Sequence, residues 1–382
     1  MAELAPFRGV VHPSKDPERL IAPSDEGWAQ DSAPVIYRIH HELPHDGRTL
    51  LRKSFVALMR LTPFSDGVVL PCRTPVAGKR DEGKKQTVLP LGLHVDRYHM
   101  VDKIFEELET TPPEAQGRTA DGVVHRMWRL LDEAAIKRVC NSLGHDKIYL
   151  VAGQDRYESM LAHRDELAAG KPVPRDAGLD WAPMMFCNVD DEGLVLLPSH
   201  RVVSGLAAFE RGDFLARCRE FFTVSEGPLA GPHAVRPALH GQRKRGATLA
   251  LLTPGSSKIA YLRLRGDLIK QSVPALAESR GLGDLDVTLL DGVVLQTLLE
   301  IDSVNMPKRV RYVSDWERAF AELETPGVQA VFLVNPTLIE QLCIVADEGR
   351  LMPIESATIH PPVTASLVVR ALDPNEKVHA PS

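Results

Sequence analysis

Lys147-Ile-Tyr-Leu-Val-Ala-Gly-Gln-Asp-Arg-Tyr-Glu-Ser-Met-Leu-Ala-His-Arg-Asp-Glu-Leu167 runs from a short apolar strand-like segment, residues 148–151, through Gly153 into a polar helix start. Strand-favouring residues crowd its first part, and Tyr157, Met160, Leu161 and Leu167 then recur at helical spacing. A glycine at such a junction lets the backbone turn sharply, and the first amides of the helix point outward without internal partners, which attracts anions. Arg156 adds a planar cation at that mouth. The same residues also read as an ordinary strand-to-helix turn, with Gln154 and Asp155 capping and Arg156 in solvent.

At 382 residues the chain can bury a large core, as one α/β unit or as two lobes. Hydrophobic residues make up 44% and charged residues 25%, which excludes disorder for most of the length. A net charge of −6 argues against a nucleic-acid footprint and against a polybasic membrane anchor. No apolar run reaches about 18 residues, and the start, Met1-Ala-Glu-Leu-Ala-Pro6, lacks the features of a secretory leader, so a cytoplasmic protein is expected. Five scattered cysteines with no CxxC pair read as reduced and mostly buried.

Around the opening stretch, residues 35–43 and 49–61 read as a hairpin closed by His45-Asp46-Gly47-Arg48. Residues 62–93 are irregular, with the charged run Gly78-Lys-Arg-Asp-Glu-Gly-Lys-Lys85 inside them. A short helix over 102–108, a polar connection over 110–122, a strand over 123–131 and a helix over 133–143 capped by Asp132 follow. Residues 184–189 and 194–197 suggest a strand pair around Asp190-Asp-Glu-Gly193. The glycines and prolines of 225–237 suggest a boundary between lobes over 1–228 and 238–371, with 372–382 as a flexible tail. Beyond it, 248–252 and 258–264 form a second hairpin, 286–301 a helix, and 330–334 a buried strand. Asn335 is then expected to cap a helix beginning at Pro336 and closed by Gly349. The fold class is therefore α/β (mixed α+β), with mixed sheets around a strand-turn-helix core.

Three motifs fail on inspection. His41-Glu-Leu-Pro-His45 fits HExxH, but Pro44 would break the helical turn that zinc ligation needs, and the segment reads as a strand. Gly241-Gln-Arg-Lys-Arg-Gly246-Ala-Thr248 has P-loop glycines without the lysine that follows the second, and it precedes a strand. Gly281-Leu-Gly283 lacks the third glycine of a dinucleotide fingerprint. Ser199-His200-Arg201, after a strand, either offers an imidazole and a guanidinium to a cleft or is a surface strand end with a hydrogen-bonded histidine.

Taken in order, several stretches together resemble one family, the bacterial and archaeal proteins of domain of unknown function 1015. They are Ala5-Pro-Phe-Arg-Gly9, Leu20-Ile-Ala-Pro23, His125-Arg-Met-Trp128, the turn with Gly153 and Arg156-Tyr-Glu158, and Asn188-Val-Asp-Asp191. Leu197-Pro-Ser-His-Arg201, Leu285-Asp-Val287, Phe332-Leu-Val-Asn-Pro-Thr337 and Gly349 with Met352-Pro353 continue the match. The resemblance implies a phosphate-handling α/β fold, and some members of that family are ATP-dependent kinases of free L-serine. The family's Gly-His-His-Arg turn also resembles that of ParB and sulfiredoxin-like nucleotide enzymes. Here Gln154 and Asp155 replace the two histidines, and Leu70-Pro71-Cys72-Arg73 replaces Leu-Pro-His-Glu. Likewise Glu355-Ser356-Ala357 replaces Lys-Ser-Thr, Asp291 replaces a histidine, and Ser24-Asp25-Glu26 replaces Pro-Tyr-Asp.

The Lys-to-Glu exchange at Glu355 and the His-to-Asp exchange at Asp291 replace two potential phosphate partners by anions, whereas phosphoryl transfer needs cations or Mg²⁺ around the transferred group. Two readings follow. In the first the chain is a pseudoenzyme on a phosphotransferase-like scaffold, the serine kinase reaction lost or changed, binding a small molecule such as a nucleotide or amino acid, or a protein partner. In the second it is an active kinase of L-serine or a related metabolite: Asp155, His200 and Glu355 do acid-base work, while Gly153, Gln154, Arg156, Arg201 and Ser356 hold phosphates. Glu158 and Asp291 then support, and only this reading brings ATP and Mg²⁺ with it. It requires these residues to converge on one pocket.

Overall fold

The computed structural model describes every residue except 12–28, 75–88, 120, 145, 267–278, 284, 357, 364–366, 372, 374–375 and 382. The family-like stretches at 20–26 and the charged run at 78–85 therefore lie outside the described residues. The chain forms two compact units, one made of Met1–Val195 with Ile359–Ser382 and the other of Leu196–Thr358.

Mostly buried strands, several of them continuous apolar runs, build the sheet of the first unit. Its strands are β1 (Leu4–Ala5), β2 (Ile36–His45), β3 (Arg48–Arg60), β4 (Val69–Pro71), β5 (Leu91–His94), β6 (Ala115–Arg118), β7 (Val124–Leu130), β8 (Ile148–Ala152) and β9 (Trp181–Asn188). They lie in the order β4-β8-β5-β9-β3-β2-β7-β6, with β1 against β3. The pairs β4–β8 and β5–β9 are parallel and the others antiparallel. The β2–β3 hairpin closes through Asp46 and Gly47, both at positive φ (52° and 71°), the geometry that makes Asp-Gly a hairpin turn. Three helices, α1 (Met100–Glu109), α2 (Glu133–Ser142) and α3 (Gln154–Ala168), supply apolar faces to the core. Phe105, Ile136, Val139 and Tyr157 meet Ile36, Phe55, Met59, Ile148, Met184 and Phe186 there. Burial of such side chains contributes roughly 1.5–3 kcal/mol each. The Asp132 carboxylate accepts from the Ala135 amide at 2.7 Å and starts α2 as its sequence requires.

The second unit is a six-stranded antiparallel sheet of β10 (His200–Ser204), β11 (Phe222–Pro228), β12 (Thr248–Leu252), β13 (Lys258–Leu264), β14 (Val310–Val313) and β15 (Val328–Leu333). Its order is β11-β13-β12-β15-β10-β14. Val202, Ala250, Leu252, Val331 and Leu333 pack against Val235, Leu239 and Trp316 from its helices.

Several expectations change. The unit boundary falls after Val195, not within 225–237, because β11 joins the sheet and the helix Pro232–Gln242 packs on it. Strand β9 makes no hairpin with 194–197; its partners are β3 and β5. Residues 110–122 contain β6. Residues 286–301 start as one α turn and continue as a π-helix over Leu290–Leu298. Asn335 caps no helix: its backbone and side-chain N–H groups donate to Asp286 at 3.1 and 2.8 Å, and the helix starts at Ile339. The C-terminal segment is tied down, with Val378 buried and its amide bonded to the Asp176 carbonyl at 2.8 Å.

Candidate functional site

The turn that opened the sequence reading takes the expected form. Strand β8 ends at Ala152, Gly153 sits at φ 73°, and α3 begins at Gln154. A Cβ on Gly153 would stand 2.9 Å from the Pro90 Cα, so close backbone approach joins the dihedral in requiring glycine. The inner side of α3 is anchored by Tyr157, whose hydroxyl donates to the Thr62 carbonyl and accepts from the Thr62 amide, both at 3.0 Å. Arg164 reinforces it with a 2.9 Å bond to the Leu61 carbonyl. Gln154 donates to the Glu158 carboxylate at 3.0 Å across the first turn of α3. Asp155 is exposed in the first turn, and Arg156 lines a cavity of about 260 Å³ within this unit.

The remaining candidates lie in the other unit. Arg201 is fully buried, and its Nε and Nη2 donate to the two carboxylate oxygens of Asp291 at 3.1 and 3.0 Å. Its Nη1 donates to the Ser199 carbonyl and hydroxyl at 2.6 and 2.7 Å and to the Glu355 carbonyl at 3.3 Å, and the guanidinium stacks 4.6 Å from the Tyr312 ring centre. Glu355 therefore meets Arg201 through its backbone, at a positive φ of 53°. The Ser356 hydroxyl is buried without a hydrogen-bond partner. His200 is no surface strand end. Its ring is fully buried, edge-on to Trp316 at 4.5 Å, and Nδ1 accepts from the Val334 amide at 3.2 Å. Burial and the neighbouring Arg201 charge push its pKa down to about 3, so it is neutral at physiological pH.

Three family-like stretches prove to be fastenings. Asp286 of Leu285-Asp-Val287 holds Asn335 of the later motif and accepts from the Thr248 amide at 3.2 Å. Asn188 braces the 96-loop by accepting from the Asp96 amide at 3.2 Å and donating to its carbonyl at 2.7 Å. Asp191 accepts from the Lys53 and Gly193 amides at 3.1 and 2.9 Å.

A second polar group in the first unit escaped the sequence reading. Cross-strand register places Arg52, His41 and His125 side by side on β3, β2 and β7. Arg52 is fully buried; its Nη1 donates to the Pro361 carbonyl at 2.8 Å, while Nε and Nη2 have no hydrogen-bond partner. His41 and His125 stack edge-on at 4.9 Å, and burial first, with the Arg52 charge, holds both below their usual range, His125 at about 4. No local signal marks this row, because its three residues meet only across three strands. No group of three or more metal-ligating side chains is gathered among the described residues, and no helix among them is long and apolar enough to cross a membrane.

Solved structures similar to this chain include a conserved hypothetical protein from Pyrococcus furiosus, 14% identical, with 74% of this chain and 92% of that chain covered and a TM-score of 0.33. A free serine kinase in complex with AMP is 14% identical, with 78% and 94% covered and a TM-score of 0.32. A variant of a free serine kinase in complex with ADP is 14% identical, with 77% and 94% covered and a TM-score of 0.33. A search of curated proteins gives no match. The family model for a protein of unknown function, DUF1015, matches residues 17–288, and the chain belongs to that family.

Proposed function

We propose that this protein is a small-molecule-binding DUF1015 member in which the serine kinase reaction has been lost or changed. The observation that carries the reading is the fate of Arg201, each of whose three guanidinium nitrogens donates to Asp291, Ser199 or the Glu355 carbonyl. A bidentate carboxylate pair of this kind leaves little positive field for a phosphate. The Asp291 carboxylate, in turn, is balanced by Arg201 and needs no added metal to be tolerated. His200, buried and neutral on Trp316, supports the same reading, since a proton shuttle must reach its substrate.

The test is purified full chain with L-serine and Mg-ATP or Mg-ADP, followed for O-phosphoserine. No product above the protein-free control is expected, and sustained turnover overturns the reading. A thermal-shift screen with nucleotides, Mg²⁺ and amino acids on the wild type and on Gln154→His/Asp155→His extends it. A nucleotide response confined to the double variant is the outcome expected of a degenerate turn. The second reading, an active ATP-dependent kinase, draws on the retained turn, where Gly153, the exposed Asp155 and Arg156 follow one another at a helix start.

A further inference from the structure

Arg52 is a buried cation to which the first unit supplies a single acceptor. It stands level with His41 and His125 across two strand pairings, and it is fully buried, with the two histidines at 6% and 4% exposure. The loop after β9 lies directly on it. A Cβ on Gly193 would come within 2.2 Å of the Arg52 amide nitrogen, and Asp191 fastens that loop to the Lys53 amide at 3.1 Å. The Pro361 carbonyl takes Nη1 at 2.8 Å, which leaves Nε and Nη2 without an acceptor among the described residues.

The surrounding groups do not neutralise this charge. Burial, and then the Arg52 charge itself, hold His41 and His125 below the usual histidine range, and burial lowers His360 as well. The Cys187 thiol, also in the field of Arg52, is pushed up by burial and stays protonated. Asp191 acts on Arg52 from a distance, but its two oxygens accept from the Lys53 and Gly193 amides. Asp121 acts on His125 and His360. Taking an ion out of water without a counter-charge is among the largest penalties a fold can carry, and a guanidinium does not escape it by losing its proton. The edge formed by Nε and Nη2 is the one that grips an anion through two parallel hydrogen bonds. His41 Nδ1 is likewise buried without a partner, and in its Nδ1–H tautomer it is a further donor in the same row.

We infer that the Nε–Nη2 edge of Arg52 binds a small inorganic monoanion of chloride's size, enclosed by His41, His125, the Asp191–Gly193 loop and Pro361. The size follows from burial: Arg52 and both histidines are less than a tenth exposed, so the row offers no mouth for the body of an organic ligand. The single charge follows from the balance of one guanidinium against neutral rings, with Asp191 and Asp121 opposing any further negative charge. Such an ion fastens β2, β3 and β7 to the chain's returning last segment at Pro361. It is independent of whether the chain is a kinase.

The test is amide exchange of residues 36–60 in the full chain across a chloride series, with gluconate making up a constant ionic strength. An anion bound only by the folded state raises protection about tenfold for each tenfold rise in chloride above the dissociation constant. The wild type is expected to approach that slope. Arg52→Met, which keeps an unbranched side chain and removes the charge, is expected to lose it. What the two salts do to protein surfaces in general is common to both chains and drops out of the comparison. Equal slopes in the two chains overturn the inference. Should Arg52→Met fail to fold, crystals of the wild type grown in bromide decide instead. An anomalous peak within hydrogen-bonding distance of Nε and Nη2 is the expected result, and an ordered water alone at that edge overturns the inference.

Discussion

Arg201 and Arg52 are both fully buried, but in different ways, and the difference sets what each substitution does. Arg201 faces a carboxylate, so removing one partner strands the other. Arg201→Met alone or Asp291→Leu alone is expected to cost about 3–5 kcal/mol in urea unfolding, while the double variant recovers much of that loss. Arg52 instead lies in a row with two neutral histidines, and acid should find this weakness. His94 and His125, with folded pKa values of about 4, and His200, at about 3, all lie below the 6.5 of an unfolded histidine, with burial the leading cause. Between those values the unfolded chain binds more protons, so their contribution is complete above pH 6.5 and fades as pH falls toward 4 and below. Asp191, raised by burial to about 6, works in the opposite sense: the folded state holds its proton more tightly, so stability is gained as pH drops through 6 toward 3.8. Three histidines outweigh one aspartate. The urea midpoint should therefore be lower at pH 5 than at pH 7.5, and an unchanged or higher midpoint would contradict the neutral assignment.

At the scale of elements, Gly153 and Gly170 bracket α3, and both have positive φ, 73° and 77°. Only the first is crowded: a Cβ at 170 meets nothing within 4 Å, whereas one at 153 presses on the Pro90 backbone. Gly170→Ala should cost about 1 kcal/mol, the price of a left-handed L-residue, and Gly153→Ala distinctly more, read as the difference between their melting temperatures. What was legible in the sequence was local. The Asp-Gly hairpin, the Asp132 cap and the strand-glycine-helix turn are each fixed within a few residues, so their residues announce them. Partners distant in sequence were not legible. Nothing in 181–188 says that its neighbours are 48–60 and 91–94, and nothing in Asn335 says that Asp286 will outbid a helix end for its amide. The same limit hid the row of Arg52, His41 and His125, which exists only once three strands are in register.

The molecule as a whole is two units threaded unequally. The second is one continuous stretch, Leu196–Thr358, with its own sheet and apolar core. The first needs both ends of the chain. Its last segment supplies the strand Val368–Val369 to Val10–Val11, the Pro361 carbonyl to Arg52, and Arg370 to the Gly178 and Trp181 carbonyls. A fragment of residues 196–358 is therefore expected to unfold cooperatively in urea, whereas a chain ending at 358 should lose stability in its first unit and keep the transition of the second. Amide exchange resolved by segment reads both, and faster exchange in 196–358 than in 1–195 of the shortened chain would refute the expectation. Synthesis on the ribosome gives this threading a temporal consequence. The middle of the polypeptide can finish folding while the opening 195 residues still await Ile359–Ser382, and Arg52 has no carbonyl to meet until Pro361 has emerged from the exit tunnel.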